Sequence, residues 1–187
     1  MRTTCDYDLL NRLVRKSYSS DPNGTPSVTY TYDDMAVTYG VGRLKKVSNG
    51  ISTTTILAYY ALGRVLASQQ STGGKTYNLS YSYNLSGAST SEMYPSGRQI
   101  ATRYDGAAPV SKIVGNWDGQ QTNYLKSILY MPHGGVWAMQ MGNNVWRAFA
   151  YTAQLQTARY IDVVNNDIGQ TLLDETLYWG TSNNNGI

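Results

Sequence analysis

The side chains able to do chemistry are few and scattered. His133 is the single histidine of the 187 residues, so any Ser-His-Asp or Cys-His nucleophile would have to use it. It stands in Pro132-His133-Gly134-Gly135, a composition that reads as a turn. A paired-carboxylate acid/base site would draw on Asp162, Asp167, Asp174 and Glu175, which share one stretch. Spaced among turn and strand residues, they read as caps and solvated ends. Cys5 is the lone cysteine, which rules out an internal disulfide and a cysteine-based metal cluster. Gly73-Gly74-Lys75-Thr76 lacks the earlier glycine of a phosphate loop and reads as a hairpin turn. Trp117, Trp137, Trp146 and Trp179 are either flat platforms for sugars or fillers of a sheet core, and core filling is the expectation. No nucleophile, cofactor-binding or metal-ligating set assembles, and the expectation is a chain that is not an enzyme.

Composition points the same way. There are 15 Lys+Arg against 12 Asp+Glu, a net charge of +3, too mild for a nucleic-acid binder. Charged residues make up only 14%, against roughly 25% in globular proteins. Tyrosine fills much of the gap, with 17 Tyr and 4 Trp but only 1 Phe. Its ring is apolar and its tip polar, which suits half-buried positions, and it favours strands. MRTTCDYDLL has no apolar run, so no signal peptide is expected there. Nothing reaches the length of a membrane span.

The elements that carry these residues repeat. Tyr7-Asp8-Leu9-Leu10-Asn11-Arg12 sets a pattern Tyr-Asp-x-x-Gly-Arg with Asn in the Gly place. Tyr32-Asp33 follows it with an insertion before Gly42-Arg43, and Tyr59 through Gly63-Arg64 fits with Tyr60 in the Asp place. Tyr83-Asn84-Leu85-Ser86-Gly87 keeps the turn and loses the Arg, Tyr94-Pro95-Ser96-Gly97-Arg98 reads as one residue short, and Tyr104-Asp105 replaces Gly-Arg by Ala108-Pro109. Weaker copies start at Tyr130, Tyr151 and Tyr178. Without the short copy, the mean step from Tyr7 to Tyr178 is about 24 residues, within the range of repeat arrays.

Each copy has a physical reading. Val28-Thr29-Tyr30-Thr31-Tyr32 and Leu79-Ser80-Tyr81-Ser82-Tyr83 alternate, which puts tyrosines on one face of a strand and hydroxyl residues on the other. Asp or Asn caps the turn through its side chain. Glycine supplies positive φ. Arginine opens the returning strand, where it can reach the preceding Asp or stack on a Tyr ring. A second turn, such as Ser48-Asn49-Gly50 or Thr72-Gly73-Gly74, closes each hairpin. Residues 146–155 contain helix formers but no N-cap, and strand is expected there. Asp21 to Pro26 reads as a surface loop.

The copies at Tyr7, Tyr59 and Tyr94 resemble the YD repeats of rearrangement-hotspot (Rhs) proteins, which are similar to repeats in wall-associated bacterial proteins, in the shell subunits of insecticidal toxin complexes and in teneurins. The resemblance spans about Cys5 to Ile187. It implies an all-β fold of consecutive antiparallel hairpins in a curved or spiralling sheet, a section of a hollow β-shell that encloses a toxic or effector domain. The family's core-end region with its Asp-Pro motif has no counterpart in the sequence, and no toxin domain follows, so only the wall-building role carries over. The expectation is one array over residues 1–187, a section of a longer repeat protein that is secreted or at the cell surface. Its motif residues are Tyr7, Asp8, Arg12, Tyr32, Asp33, Gly42, Arg43, Tyr59, Gly63, Arg64, Tyr83, Gly87, Tyr94, Gly97, Arg98, Tyr104 and Asp105. Expected partners are the rest of the parent or further copies through sheet edges, and an enclosed effector. The alternative is a surface adhesion module for glycans or a partner protein, which an outward row of Trp and Tyr favours over an inward one.

Overall fold

Alternation of hydroxyl and aromatic residues gives strands with one more apolar face, and short Gly/Asn turns tie each strand to the next. The computed structural model describes residues 1–106, 109–164 and 170–179. Ala108, Asp167, Gly180 and the expected repeat midpoint at residues 183–187 lie outside the described residues. The chain divides into two units, Met1–Gly97 and Arg98–Ile187.

The first unit carries β1 (Arg2–Tyr7), β2 (Leu13–Ser19), β3 (Val28–Tyr32), β4 (Leu44–Ser48), β5 (Ser52–Tyr59), β6 (Val65–Thr72), β7 (Lys75–Tyr83) and β8 (Ser89–Met93). Each of β1 to β7 pairs antiparallel with its successor. The second unit carries β9 (Gln99–Tyr104), β10 (Val110–Trp117), β11 (Gln120–Tyr130), β12 (Val136–Met141), β13 (Val145–Tyr151), β14 (Thr157–Val164) and β15 (Thr171–Thr176). These also pair antiparallel in chain order. No helix occurs among the described residues, and the stretch at 146–155 is strand β13 followed by a turn. The fold is therefore all-β, built of consecutive antiparallel hairpins.

Register confirms the two-faced strands. Tyr30 lies opposite Val47, Val47 opposite Thr54 and Thr54 opposite Gln70. The other face runs Thr31, Lys46, Thr55, Gln69 and Asn78. Across it Gln69 Nε2 donates to Asn78 Oδ1 at 2.9 Å, and the hydroxyls of Ser48 and Thr53 bond at 2.8 Å.

Little is deeply buried, because each sheet is largely a single layer. No described side chain falls below 2% exposure. The core of the first unit is a cluster of Val37, Ile56 and Tyr59, with Val65 against it. Val37 comes from the insertion in the second copy. That loop folds back onto the sheet: Tyr59 N–H donates to Thr38 O at 3.3 Å, and Lys45 Nζ reaches Asp34 Oδ2 at 3.2 Å. Gly40 sits where a Cβ would meet Asp34 O at 2.6 Å and Val37 Cβ at 2.9 Å, so the loop closes only around glycine. The insertion thus supplies the apolar partner that a one-layer sheet lacks. In the second unit Val114, Leu125 and Val145 are the buried aliphatics among the described residues.

Candidate functional site

The recurring structure is the turn, and its hydrogen bonds are the same from copy to copy. The residue in the Asp place donates its N–H to the carbonyl four residues on: Asp8 to Arg12, Tyr60 to Arg64, Asn84 to Ala88, Asp105 to Pro109, Met131 to Gly135 and Thr152 to Gln156, all within 2.7–3.0 Å. The residue in the Gly place donates back to the Asp-place carbonyl, as Asn11 to Asp8, Gly63 to Tyr60, Gly87 to Asn84, Gly134 to Met131 and Leu155 to Thr152. That closure needs positive φ, found at Gly42, Gly63 and Gly87 and also at Asn11 and Leu155. Side-chain oxygens complete the turn. Asp8 Oδ1 accepts from Leu10 and Arg12 N–H at 2.9 Å, Asn84 Oδ1 from Ala88 N–H, and Thr152 Oγ1 from Gln154 and Gln156.

Every such turn begins with a bulge at the leading tyrosine. Register shifts at Tyr7, Tyr32, Tyr59 and Tyr83 in the first unit and at Tyr130 and Tyr151 in the second. A bulge takes its residues out of the regular ladder. The residue opposite the leading tyrosine is Leu13, Leu44, Val65 or Ser89 in the first unit and Val110, Val136 or Thr157 in the second. The carbonyls of Leu13, Leu44, Val65, Val110, Val136 and Thr157 are each taken by the next copy. Tyr32 Oη donates to Leu13 O at 2.8 Å, Tyr59 to Leu44 O at 2.5 Å and Tyr83 to Val65 O at 2.9 Å. Tyr130 donates to Val110 O at 2.9 Å and Tyr151 to Val136 O at 2.7 Å. The final bond comes from Trp179 Nε1 to Thr157 O at 2.8 Å.

The arginines run the other way, from one copy into the next. Arg12 stacks on Tyr32 at 4.5 Å, Arg43 on Tyr59 at 5.3 Å and Arg64 on Tyr83 at 5.9 Å. Arg12 also bridges two carboxylates, its own Asp8 at 2.7 Å and Asp33 of the following copy at 2.6 Å. Arg43 donates to the carbonyls of Tyr60 and Ala61. Arg64 lies so close beneath the next turn that a Cβ on Gly87 would meet its Nη2 at 1.9 Å. Both uses foreseen for the arginine therefore occur, but the ring belongs to the following copy. Asp8 is held below the usual carboxylate range by the Arg12 N–H first, then by the guanidinium and the Leu10 N–H. Asp33 is lowered by the Arg12 side chain and then by the Gly42 N–H. Burial pushes the phenols of Tyr59 and Tyr83 up.

Three sequence expectations are corrected. Tyr94 to Arg98 is not a shortened copy: Gly97 N–H donates to Tyr94 O, so Tyr94 fills the Asp place and Met93 the Tyr place. This turn sits at the end of β8 opposite the turn at 83–88, out of phase with the others, and Arg98 stacks on Tyr124 at 4.9 Å. The last copy is led by Trp179 and not by Tyr178, which is exposed. Core filling by tryptophan fails for Trp117 and Trp137, 62% and 52% exposed, since a one-layer sheet offers no second layer to receive them.

The remaining candidates for chemistry are already engaged. Asp162 takes both Nε and Nη2 of Arg147, at 2.6 and 2.5 Å. Asp174 pairs with Arg159, and Glu175 accepts from the Tyr160 hydroxyl. His133 lies exposed in its turn, edge-on to Tyr151 at 4.9 Å. No cluster of three metal-ligating side chains occurs among the described residues. An open groove of about 730 Å³ in the second unit is lined chiefly by Gln121, Asn123, Tyr124, Lys126 and Asn143, with neither carboxylate nor histidine.

No family model matches the sequence, and no curated protein matches it. Solved structures do. The chain superposes over 95% of its length on crystal structures of TcdB2-TccC3 and of TcdB2-TccC3-Cdc42, each with TM-score 0.81 and 14% identity. It matches the Photorhabdus luminescens Tc holotoxin pore with TM-score 0.77 and 14% identity. In each case it spans 10% of the length of the matched chain. The fold is that of a YD-repeat hairpin array of the Rhs type.

Proposed function

We propose that this chain is a wall segment of a YD/Rhs-type β-shell, a non-enzymatic structural module of a secreted toxin complex whose shell encloses or presents an effector domain. Residues 1–187 then form one array within a longer repeat protein, and the motif tyrosines, arginines, aspartates and glycines are its joints. The observation that carries this reading is the two-way coupling of copies. Tyr32, Tyr59 and Tyr83 each satisfy a carbonyl of the copy before, and Arg12, Arg43 and Arg64 each pack against the copy after. Such a strip is stabilised by extension, as a wall requires. The likeness to the Tc structures supports the same role. The test is a chimera in which this segment replaces the tenth of TcdB2-TccC3 that it matches. A closed, hollow particle by electron microscopy is expected; a particle that is open or collapsed at the graft would overturn the reading.

A second reading, a surface adhesion module binding glycans or a partner protein, is favoured by one observation, the exposure of Trp117 and Trp137. Binding to a glycan array that disappears in Trp117→Ala and Trp137→Ala would select it.

A further inference from the structure

The turns at 7–12, 32–43, 59–64 and 83–88 all lie at the same end of their strands, because the strands of the first unit pair antiparallel in chain order. Tips of turns are normally Gly, Asn, Asp, Ser or Pro. These instead carry Leu9, Leu10, Met35, Val41, Leu62 and Leu85, exposed at 106, 71, 91, 67, 70 and 94%. At the opposite end the tips are Asn23-Gly24, Asn49-Gly50, Gly73-Gly74 and Ser96-Gly97, with Ile51 and the half-exposed Met93 the exposed aliphatics beside them. Single exposed leucines are ordinary, but a one-sided row of them marks a contact surface.

We propose that this turn-tip edge of the first unit docks on the same edge of a second copy of this chain, the two rows of aliphatic side chains interdigitating about a two-fold axis. Successive tips are two strands apart, about 9.6 Å. The gap between tips therefore matches the roughly 10 Å that separates packed layers, and admits one aliphatic side chain from an opposing row. A row with such a side chain at each tip is complementary to itself when reversed, which is the requirement of an isologous interface. At about 100 Å² of apolar area per aliphatic side chain, six bury on the order of 600 Å² per copy. Both copies together then reach about 1,200 Å², the lower end for specific interfaces.

An anionic membrane fits less well, because the cations of this edge are engaged. Arg12 is taken by Asp8 and Asp33, Arg43 by the carbonyls of Tyr60 and Ala61, and Lys45 by Asp34, and Arg64 is packed beneath the Gly87 turn against Tyr83. Membrane surfaces recruit free Lys and Arg. This inference stands on the exposed row and is independent of the shell reading.

The experiment is sedimentation of the full chain over a concentration series, beside a variant with Leu9→Ser, Leu62→Ser and Leu85→Ser and a control with Ile51→Ser. Circular dichroism checks that all three keep the sheet. Concentration-dependent dimers are expected for the parent and for Ile51→Ser, with association weakened more than about tenfold in the triple variant. Leu62→Cys in a Cys5→Ser background is expected to trap the dimer as a disulfide under oxidation. A parent that stays monomeric, association that survives the triple change, or a monomer that floats with phosphatidylserine vesicles through these leucines would each overturn the proposal.

Discussion

Replacing a leading tyrosine by phenylalanine removes one oxygen and nothing else, so Tyr59→Phe isolates the bond that joins one copy to the one before it. Tyr59 is 6% exposed, and its hydroxyl donates to Leu44 O at 2.5 Å. The carbonyl lies opposite the leading tyrosine at the Tyr32 bulge. A net hydrogen bond is worth about 1 kcal/mol, and stranding a buried acceptor costs about 1–3 kcal/mol. Tyr59→Phe should therefore destabilise by about 2 kcal/mol. Tyr7 supplies the internal control, since it heads the first copy and is 57% exposed; Tyr7→Phe should change stability by less than about 0.5 kcal/mol. The assay is urea unfolding followed by tyrosine and tryptophan fluorescence, with m-values compared to check that the transition is unchanged. Equal midpoints for the two variants would falsify the claim that the phenol hydroxyl couples the copies.

Three further outcomes follow from the turns. Leu155 stands in the Gly place with φ 63 and is exposed. Relieving a left-handed leucine gains about 1–2 kcal/mol and glycine's extra chain entropy returns part of it, so Leu155→Gly should raise Tm by about 2 °C in a thermal melt. Gly87→Ala should cost roughly 2 kcal/mol through its positive φ and the collision with Arg64. Gly50→Ala, with open space around it, should cost about 1 kcal/mol, and in Arg64→Ala the two alanines should become equal by denaturant midpoint. Burial raises the folded pKa of Tyr59 and Tyr83, so their contribution is complete below the unfolded value of about 10 and is lost as pH rises through the folded values. Alkaline titration of stability should show this loss, and it should shrink in Tyr83→Phe.

Much of the fold was legible because hairpin chemistry is local. Period-two alternation in Val28 to Tyr32 and the glycines at 42, 63 and 87 suffice to place strands and turns without any distant contact. The phase of the Tyr94 copy was not legible, since Met93 and Tyr94 can be aligned on the pattern in two ways and only the hydrogen bond from Gly97 to Tyr94 selects one. Nor was the lead of Trp179 over Tyr178. An indole N–H replaces a phenol O–H as donor, and the spacing of tyrosines alone hides that exchange. The exposure of Trp117 and Trp137 follows from the sheet being one layer thick, a property of how many elements cover it and not of any local pattern. The insertion at 34–42 read as an interruption, yet Val37 makes it the cover of Ile56 and Tyr59.

The skew toward tyrosine, 17 against a single phenylalanine, now has a cause beyond strand propensity. A one-layer strip cannot shelter its bulges behind a second sheet, and the carbonyl opposite a leading tyrosine accepts from the tyrosine of the next copy in five cases. Phenylalanine would cover that carbonyl without bonding it; tyrosine covers and bonds it at once. The cation then explains direction. Tyrosine reaches back and arginine reaches forward, so a copy that loses one connection keeps the other. Tyr83 retains its bond to Val65 O although its own copy has Ala88 where arginine would stand. Tyr151 retains its bond to Val136 O although Leu155 and Gln156 replace Gly-Arg. Erosion of the motif is tolerated where the hydroxyl survives. The geometry therefore ranks the leading tyrosine above the Asp, Gly and Arg places as the position on which the continuity of the strip depends.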